Sequence, residues 1–151
     1  GDGDLAAIGT TETVHTANRG ENITVLFINN AVYGMTGGQM APTTMIGQKT
    51  TTTPRGRGAS EGPPIKVCEM LSTLDGPKFI ARTAVNSADA IKATKDAIKK
   101  AFRYQLEGKG YSFVEILSMC PTNWKMDMKQ SVGFVDKMKE VFPPGVFRDE
   151  G

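Results

Sequence analysis

The sequence is poor in the residues on which several protein classes are built. It has two cysteines, Cys68 and Cys120. Their wide separation offers no framework of the kind that staples small secreted domains, so a reduced, cytoplasmic protein is expected. No apolar run approaches the ~20 residues that a membrane span needs, and no stretch reads as a signal peptide. Neither sign of charge dominates: 18 basic and 16 acidic side chains leave a net charge of +2. That is too little to build a surface for nucleic acid or membrane. There is one histidine, His15, and its place within a helical segment favours a packed or surface role over acid–base chemistry. Internal repeats are absent, and so is an initiator methionine.

What is present suits one domain with an ordinary core: 151 residues, 39% of them hydrophobic. Residues 5–17 read as a helix with Leu5, Ile8 and Glu12 on one face and Gly20 as its stop. Residues 23–28 are nearly all apolar and β-branched, the pattern of a strand buried on both faces in a parallel sheet. Residues 31–64 are rich in Gly, Thr and Pro and form a long excursion, a kind of segment that is usually functional or disordered. A helix over 64–74 follows, ending at Asp75-Gly76, and then a strand over 78–85. Ser87 is a natural N-cap, with Asp89 in the first helical turn. Ile91, Ile98, Ala101 and Phe102, with Thr94, recur at helical spacing toward Gly108. A strand over Tyr111–Leu117 and a weaker helix over 131–141 complete the pattern. The alternation predicts an α/β fold with a mostly parallel sheet flanked by helices.

The chemistry concentrates at the start of the chain. Magnesium takes near-octahedral oxygen ligands and usually binds through one or two carboxylates plus phosphate oxygens. In Gly1-Asp2-Gly3-Asp4, Asp2 supplies such an anionic oxygen, and the glycines let backbone N–H groups approach a diphosphate. A helix beginning near Leu5 aims its positive end at the same place. On this motif alone a plain turn is the alternative, since Gly and Asp are turn residues. Asn29-Asn30 follows directly on the apolar strand, and ligands of open parallel sheets lie outside the carboxyl ends of strands. Asn30 offers a neutral side-chain oxygen and Val32 a backbone carbonyl. A strand before Gly1, parallel to the one before Asn29, would set Asp2 and Asn30 at neighbouring strand ends. The motif's place after such a strand leads to the expectation that the chain is a piece of a longer protein, cut at Gly1. In Tyr33-Gly34-Met35-Thr36-Gly37-Gly38-Gln39, the glycines beside Thr36 suit an anion-binding concavity or a flexible loop.

Together, Gly1-Asp2-Gly3-Asp4, Asn29-Asn30, the segment 33–39 and Pro42-Thr43-Thr44 resemble the β subunit of the 2-oxoacid:ferredoxin oxidoreductases. The likeness continues through Ile65-Lys66-Val67-Cys68, Leu74-Asp75-Gly76 and Cys120-Pro121-Thr122-Asn123-Trp124. It implies a thiamine-diphosphate-binding fold, incomplete at its N-terminus, with residues 1–151 as the C-terminal portion of the binding domain. It implies Asp2, Asn30 and the Val32 carbonyl as magnesium ligands, Gly1, Gly3 and Asp4 against the diphosphate, and Thr36 and Gly37 toward the reactive end. The implied reaction, one of anaerobic metabolism, is oxidative decarboxylation of a 2-oxoacid with coenzyme A, giving acyl-CoA, carbon dioxide and electrons for ferredoxin. The Thr-rich stretch favours the 2-oxoglutarate or branched-chain type. The glutamate that activates the cofactor is implied to lie on an α subunit, so no catalytic base is assigned to this chain.

The resemblance also places Cys120 where family members carry the fourth thiolate of a [4Fe–4S] cluster; the other three thiolates would come from outside this chain. A buried structural cysteine is the alternative for Cys120, and Cys68 reads as core. Met126, Met128 and Met138 read as packing or subunit contact, and Lys95, Lys99, Lys100 and Arg103 as a solvated helix face. Two other functions remain open at this stage. One is a non-redox thiamine-diphosphate lyase or synthase domain, and the other a non-catalytic magnesium- or calcium-binding module.

Overall fold

A computed structural model describes residues 1–151. Its centre is a four-stranded sheet in the order β1-β3-β2-β4. The strands are β1 (Thr24–Asn29), β2 (Pro77–Ala84), β3 (Tyr111–Leu117) and β4 (Gly145–Asp149). β3 pairs in parallel with β1 on one side and β2 on the other, and β4 runs antiparallel along β2. The helices are α1 (Thr10–Asn18), α2 (Val67–Ser72), α3 (Ala88–Leu106), α4 (Pro121–Trp124) and α5 (Met128–Val141). The expected mostly parallel α/β architecture is therefore present, with β4 as an antiparallel addition that the sequence pattern does not signal.

Apolar faces explain the layering. On one side, α1 and α2 cover Phe27, Ile80, Tyr111 and Phe113 through Ala17, Val67, Cys68 and Leu71. On the other, α3 covers Phe79, Ala81, Val114 and Ile116. Its buried stripe runs through Thr94, Ala101 and Tyr104. Ile91 and Phe102, expected on that face, are 40% and 45% exposed, because at 3.6 residues per turn they fall to one side of that stripe. Ser87 caps α3 as expected, its hydroxyl accepting the Ala90 N–H.

Two other expectations are corrected. The first helix is not continuous over 5–17: a single π-helical turn (Asp4–Ile8) precedes α1, with Gly9 at the junction. The buried positions there are Ala6, Thr13 and Ala17, and Ile8 is 87% exposed. Within residues 1–151 β1 is buried on one face only: Phe27 and Asn29 are buried, while Leu26 and Ile28 are 38% and 40% exposed. The excursion after β1 is ordered. It contains one short 3-10 turn (Ala59–Glu61) and buries Ala41, Thr43, Thr44, Gln48, Thr50 and Arg57. Gly76 shows how closely α1 meets the turn into β2: a Cβ there would lie 2.2 Å from the Ala17 carbonyl oxygen.

Candidate active site

The site forms where the chain leaves the C-terminal ends of β1 and β3, the position at which open parallel sheets bind ligands. A cleft of about 620 Å³ opens there. Among its lining residues are Gly1, Asp2, Gly3, Asp4, Asn30, Val32, Thr36 and Cys120. Eight of the nine residues expected at the site thus share one cavity. Gly37 does not line it. Tyr33, Gly34, Thr122 and Asn123 do, without having been assigned there from the sequence.

Asp2 begins the first helical turn rather than preceding it: Asp4 and Leu5 both donate their N–H to the Gly1 carbonyl. Its side chain is 3% exposed. One carboxylate oxygen accepts the Thr43 hydroxyl at 2.6 Å and the other the Gly3 N–H at 3.0 Å. Burial pushes this carboxyl above its ordinary value, and the hydrogen bonds from Thr43 and Gly3 only partly offset that. No basic side chain pairs with Asp2. A buried carboxylate held only by neutral donors is a natural seat for a cation. Gly3 is demanded by packing, since a Cβ there would lie 2.5 Å from the Tyr33 ring.

The turn after β1 is held from several sides. Asn29 is buried, donates from Nδ2 to Glu115 Oε1 at 2.7 Å and accepts the Ala31 N–H at 3.1 Å. Asn30 Oδ1 accepts the Val32 N–H at 3.3 Å, and the Asn30 carbonyl accepts the Trp124 indole N–H at 3.0 Å. Between them Ala31 takes a left-handed φ of 58°, which costs a non-glycine residue about 1–2 kcal/mol. The Val32 carbonyl takes part in none of the hydrogen bonds around it, which leaves it free to ligate. One carboxylate, one amide oxygen and one free carbonyl are hard oxygen donors of the type magnesium takes. The chain gathers no trio of His, Cys, Asp or Glu, so a metal here would have to be met by a mixed set of this kind.

The loop over 33–39 closes on itself through Tyr33 N–H to the Gln39 carbonyl at 3.0 Å and Gly38 N–H to the Tyr33 carbonyl at 2.8 Å. Thr36 donates its hydroxyl to Gln39 Oε1 at 2.8 Å at the exposed rim. Cys120 is half-buried at the start of α4, packed against the core cluster that contains Trp124. Its sulfur accepts Asn123 Nδ2 at 3.2 Å, and Asn123 also donates to the Gly34 carbonyl at 2.7 Å. Cys68 lies in the α1–α2 core cluster, away from the cleft. A four-thiolate cluster does not fit the cysteines of this chain by themselves.

Comparison with known proteins gives a consistent picture. Residues 1–116 match the family described as thiamine pyrophosphate enzyme, C-terminal TPP binding domain. The ketoisovalerate oxidoreductase subunit VorA of Methanothermobacter marburgensis is 50% identical over 151 residues, covering 99% of this chain and 32% of the relative. The 2-oxoglutarate synthase subunit KorB of Methanocaldococcus jannaschii is 41% identical over 123 residues, covering 81% of this chain and 41% of the relative. The chain thus spans about a third to two fifths of the length of these relatives. A solved structure of the 2-oxoglutarate:ferredoxin oxidoreductase from Magnetococcus marinus superposes over 99% of this chain and 55% of its own, with a TM-score of 0.69 at 21% identity, a likeness of fold. With the family match running from the Gly-Asp-Gly turn to the end of β3, the chain belongs to the thiamine pyrophosphate enzymes and carries their C-terminal TPP-binding domain.

Proposed function

We propose that this chain supplies the magnesium-diphosphate end of a thiamine diphosphate site in a 2-oxoacid:ferredoxin oxidoreductase of the 2-oxoglutarate or branched-chain type. The observation that carries the reading is Asp2, a buried carboxylate without a basic partner, in one cleft with Asn30 and the Val32 carbonyl. Asp2, Asn30 and Val32 would hold the magnesium ion, and Gly1, Gly3 and Asp4 would face the diphosphate. Thr36 and Gly37 would lie toward the reactive end, Gly37 through the same loop and not through the cleft wall itself. When bound, thiamine diphosphate supplies the carbanion chemistry of 2-oxoacid decarboxylation; the protein positions it and excludes water.

The names of the relatives support the substrate class. The VorA relative is named for ketoisovalerate and the KorB relative for 2-oxoglutarate. An α subunit, coenzyme A and ferredoxin are the partners this reading requires, in a cytoplasmic enzyme. No helix of the chain is long and apolar enough to cross a membrane.

Calorimetry and thermal unfolding of the purified protein test the cofactor site. Magnesium and thiamine diphosphate together, at about 100 times their dissociation constant, are expected to stabilise it by about 2.7 kcal/mol. Equal stabilisation by magnesium alone would leave the chain a simple ion-binding module. The redox assignment is tested separately at Cys120. Cys120→Ser is expected to lower iron content and ferredoxin-linked turnover in the full enzyme. Wild-type iron stoichiometry in that variant would return the cysteine to the core, and activity left intact by the substitution would favour a non-redox lyase or synthase.

A further inference from the structure

The residues 41–48 touch both halves of the candidate metal site. From this turn Thr43 donates its hydroxyl to Asp2 at 2.6 Å. Thr44 donates to the Ala31 carbonyl at 2.7 Å, and Gln48 Nε2 donates to the same carbonyl at 3.0 Å. The turn also braces itself, with Ala41 N–H to Thr44 Oγ1 at 2.9 Å and Met45 N–H to Gln48 Oε1 at 3.0 Å. Thr43 and Thr44 are fully buried, and Gln48 nearly so.

Behind the turn lies Arg57, 5% exposed. Its guanidinium meets only backbone carbonyls. Nη1 donates to those of Pro42 at 2.9 Å and Thr44 at 2.6 Å, with Ala41 at 3.3 Å. Nε donates to Gly62 at 2.8 Å, and Nη2 to Glu61 at 3.2 Å and Pro63 at 3.0 Å. No carboxylate pairs with it. A buried cation costs free energy unless its donors are met. Here a five-donor planar fork ties residues 41–44 to residues 61–63 at the end of the excursion, which the three donors of a lysine could not reproduce.

We propose that Arg57 is a positioning residue that, through Thr43, Thr44 and Gln48, sets Asp2 against the backbone of residues 30–32 at the spacing one metal ion needs. The inference rests on the cofactor reading above. It accounts for the left-handed Ala31, because strain of that kind persists only where the surroundings over-determine it. Asn29 fixes the N–H of Ala31, and Thr44 and Gln48 fix its carbonyl. It also accounts for a long excursion without regular structure that is nevertheless buried and ordered.

The test measures magnesium affinity by calorimetry in saturating thiamine diphosphate. Thr43→Val keeps the shape and removes the donor; Thr43→Ser keeps the donor. Thr43→Val and Arg57→Lys are expected to weaken magnesium binding about 10–100-fold, the range for residues that orient ligands from behind. Thr43→Ser should bind like the wild type. A threonine serving only to pack would show the reverse order, with valine tolerated. Amide exchange in the metal-free protein reads the lock directly: Arg57→Lys should lose protection over residues 41–48 while β2 and β3 keep theirs. Failure of the wild type to bind magnesium would overturn the cofactor reading and this inference with it. Binding by the wild type and equally by Thr43→Val and Arg57→Lys would overturn this inference alone.

Discussion

Arg82→Met is expected to destabilise the fold by about 3–5 kcal/mol, the cost of leaving one member of a buried ion pair alone. The side chains of Arg82 and Glu115, on β2 and β3, are 0% and 1% exposed. Arg82 Nε donates to Glu115 Oε2 at 2.8 Å, while Asn29 satisfies the other oxygen. The rest of the guanidinium reaches Glu69 on α2 and the Pro143 carbonyl, and sits 4.9 Å from the Phe147 ring centroid. Methionine fills much of the volume but leaves a carboxylate in the sheet with only Asn29 to hold it. The double variant Arg82→Met, Glu115→Gln removes both charges and keeps an acceptor for Asn29, so it should recover most of the loss. Urea unfolding of the three proteins checks this. A single variant within about 1 kcal/mol of wild type would mean that water reaches Glu115.

The same cluster sets an acid dependence. Burial alone raises the Glu69 carboxyl, but the hydrogen bonds from Arg82 outweigh it and hold the group below its ordinary 4.5. A carboxyl held low contributes stability that is present above its unfolded value and lost as pH falls through the folded one. Wild type should therefore lose this part of its stability below about pH 4.5, and Arg82→Met should not. The Glu69 side chain is 36% exposed, so solvent screens its share of the effect.

These charges also mark where reading the sequence stops. Tyr111–Leu117 is legible as a strand to the residue, because its apolar run is buried along its whole length. Nothing in that run says that Glu115 faces Arg82 across the sheet, since register between β2 and β3 depends on the fold. The apolar run of β1 does not say how much of each face residues 1–151 cover: Phe27 and Asn29 are buried, and Leu26 and Ile28 are left partly open. β4 is invisible because it is short, follows Pro143-Pro144, and spends Arg148 on the carbonyls of Leu74 and Pro77 instead of on an alternating face. The site is more legible than the sheet. Gly1 to Asp4, Asn30 and Cys120 carry their chemistry in residue type and order, and the fold gathers them at one cleft. Thr43 is noticed only as part of Pro42-Thr43-Thr44 and Arg57 not at all, because a side-chain bond across a loop, to a carboxylate or to carbonyls, has no period in sequence.

Asp2→Asn is expected to abolish magnesium-dependent cofactor retention, by more than the roughly 100-fold upper range for residues standing behind a ligand, while leaving the metal-free protein close to wild type in stability. The two effects have one cause. Asp2 is buried, and its carboxylate is met only by the Thr43 hydroxyl and the Gly3 N–H. An isolated buried anion is costly, and a bound cation offsets that cost. Asparagine has the same shape and can be satisfied in place, its Oδ1 accepting the Gly3 N–H and its Nδ2 donating to Thr43. It therefore removes the charge without opening a cavity, at the cost of the acceptor that the buried Thr43 hydroxyl proton now has, and with the charge goes the only anionic oxygen of the proposed magnesium set. Retained cofactor after gel filtration and the urea midpoint of the metal-free protein are the two measurements. A residue that merely braced the first helical turn would lower both together. Loss of stability with cofactor content unchanged would take the metal away from Asp2 and leave the cleft without its anionic ligand.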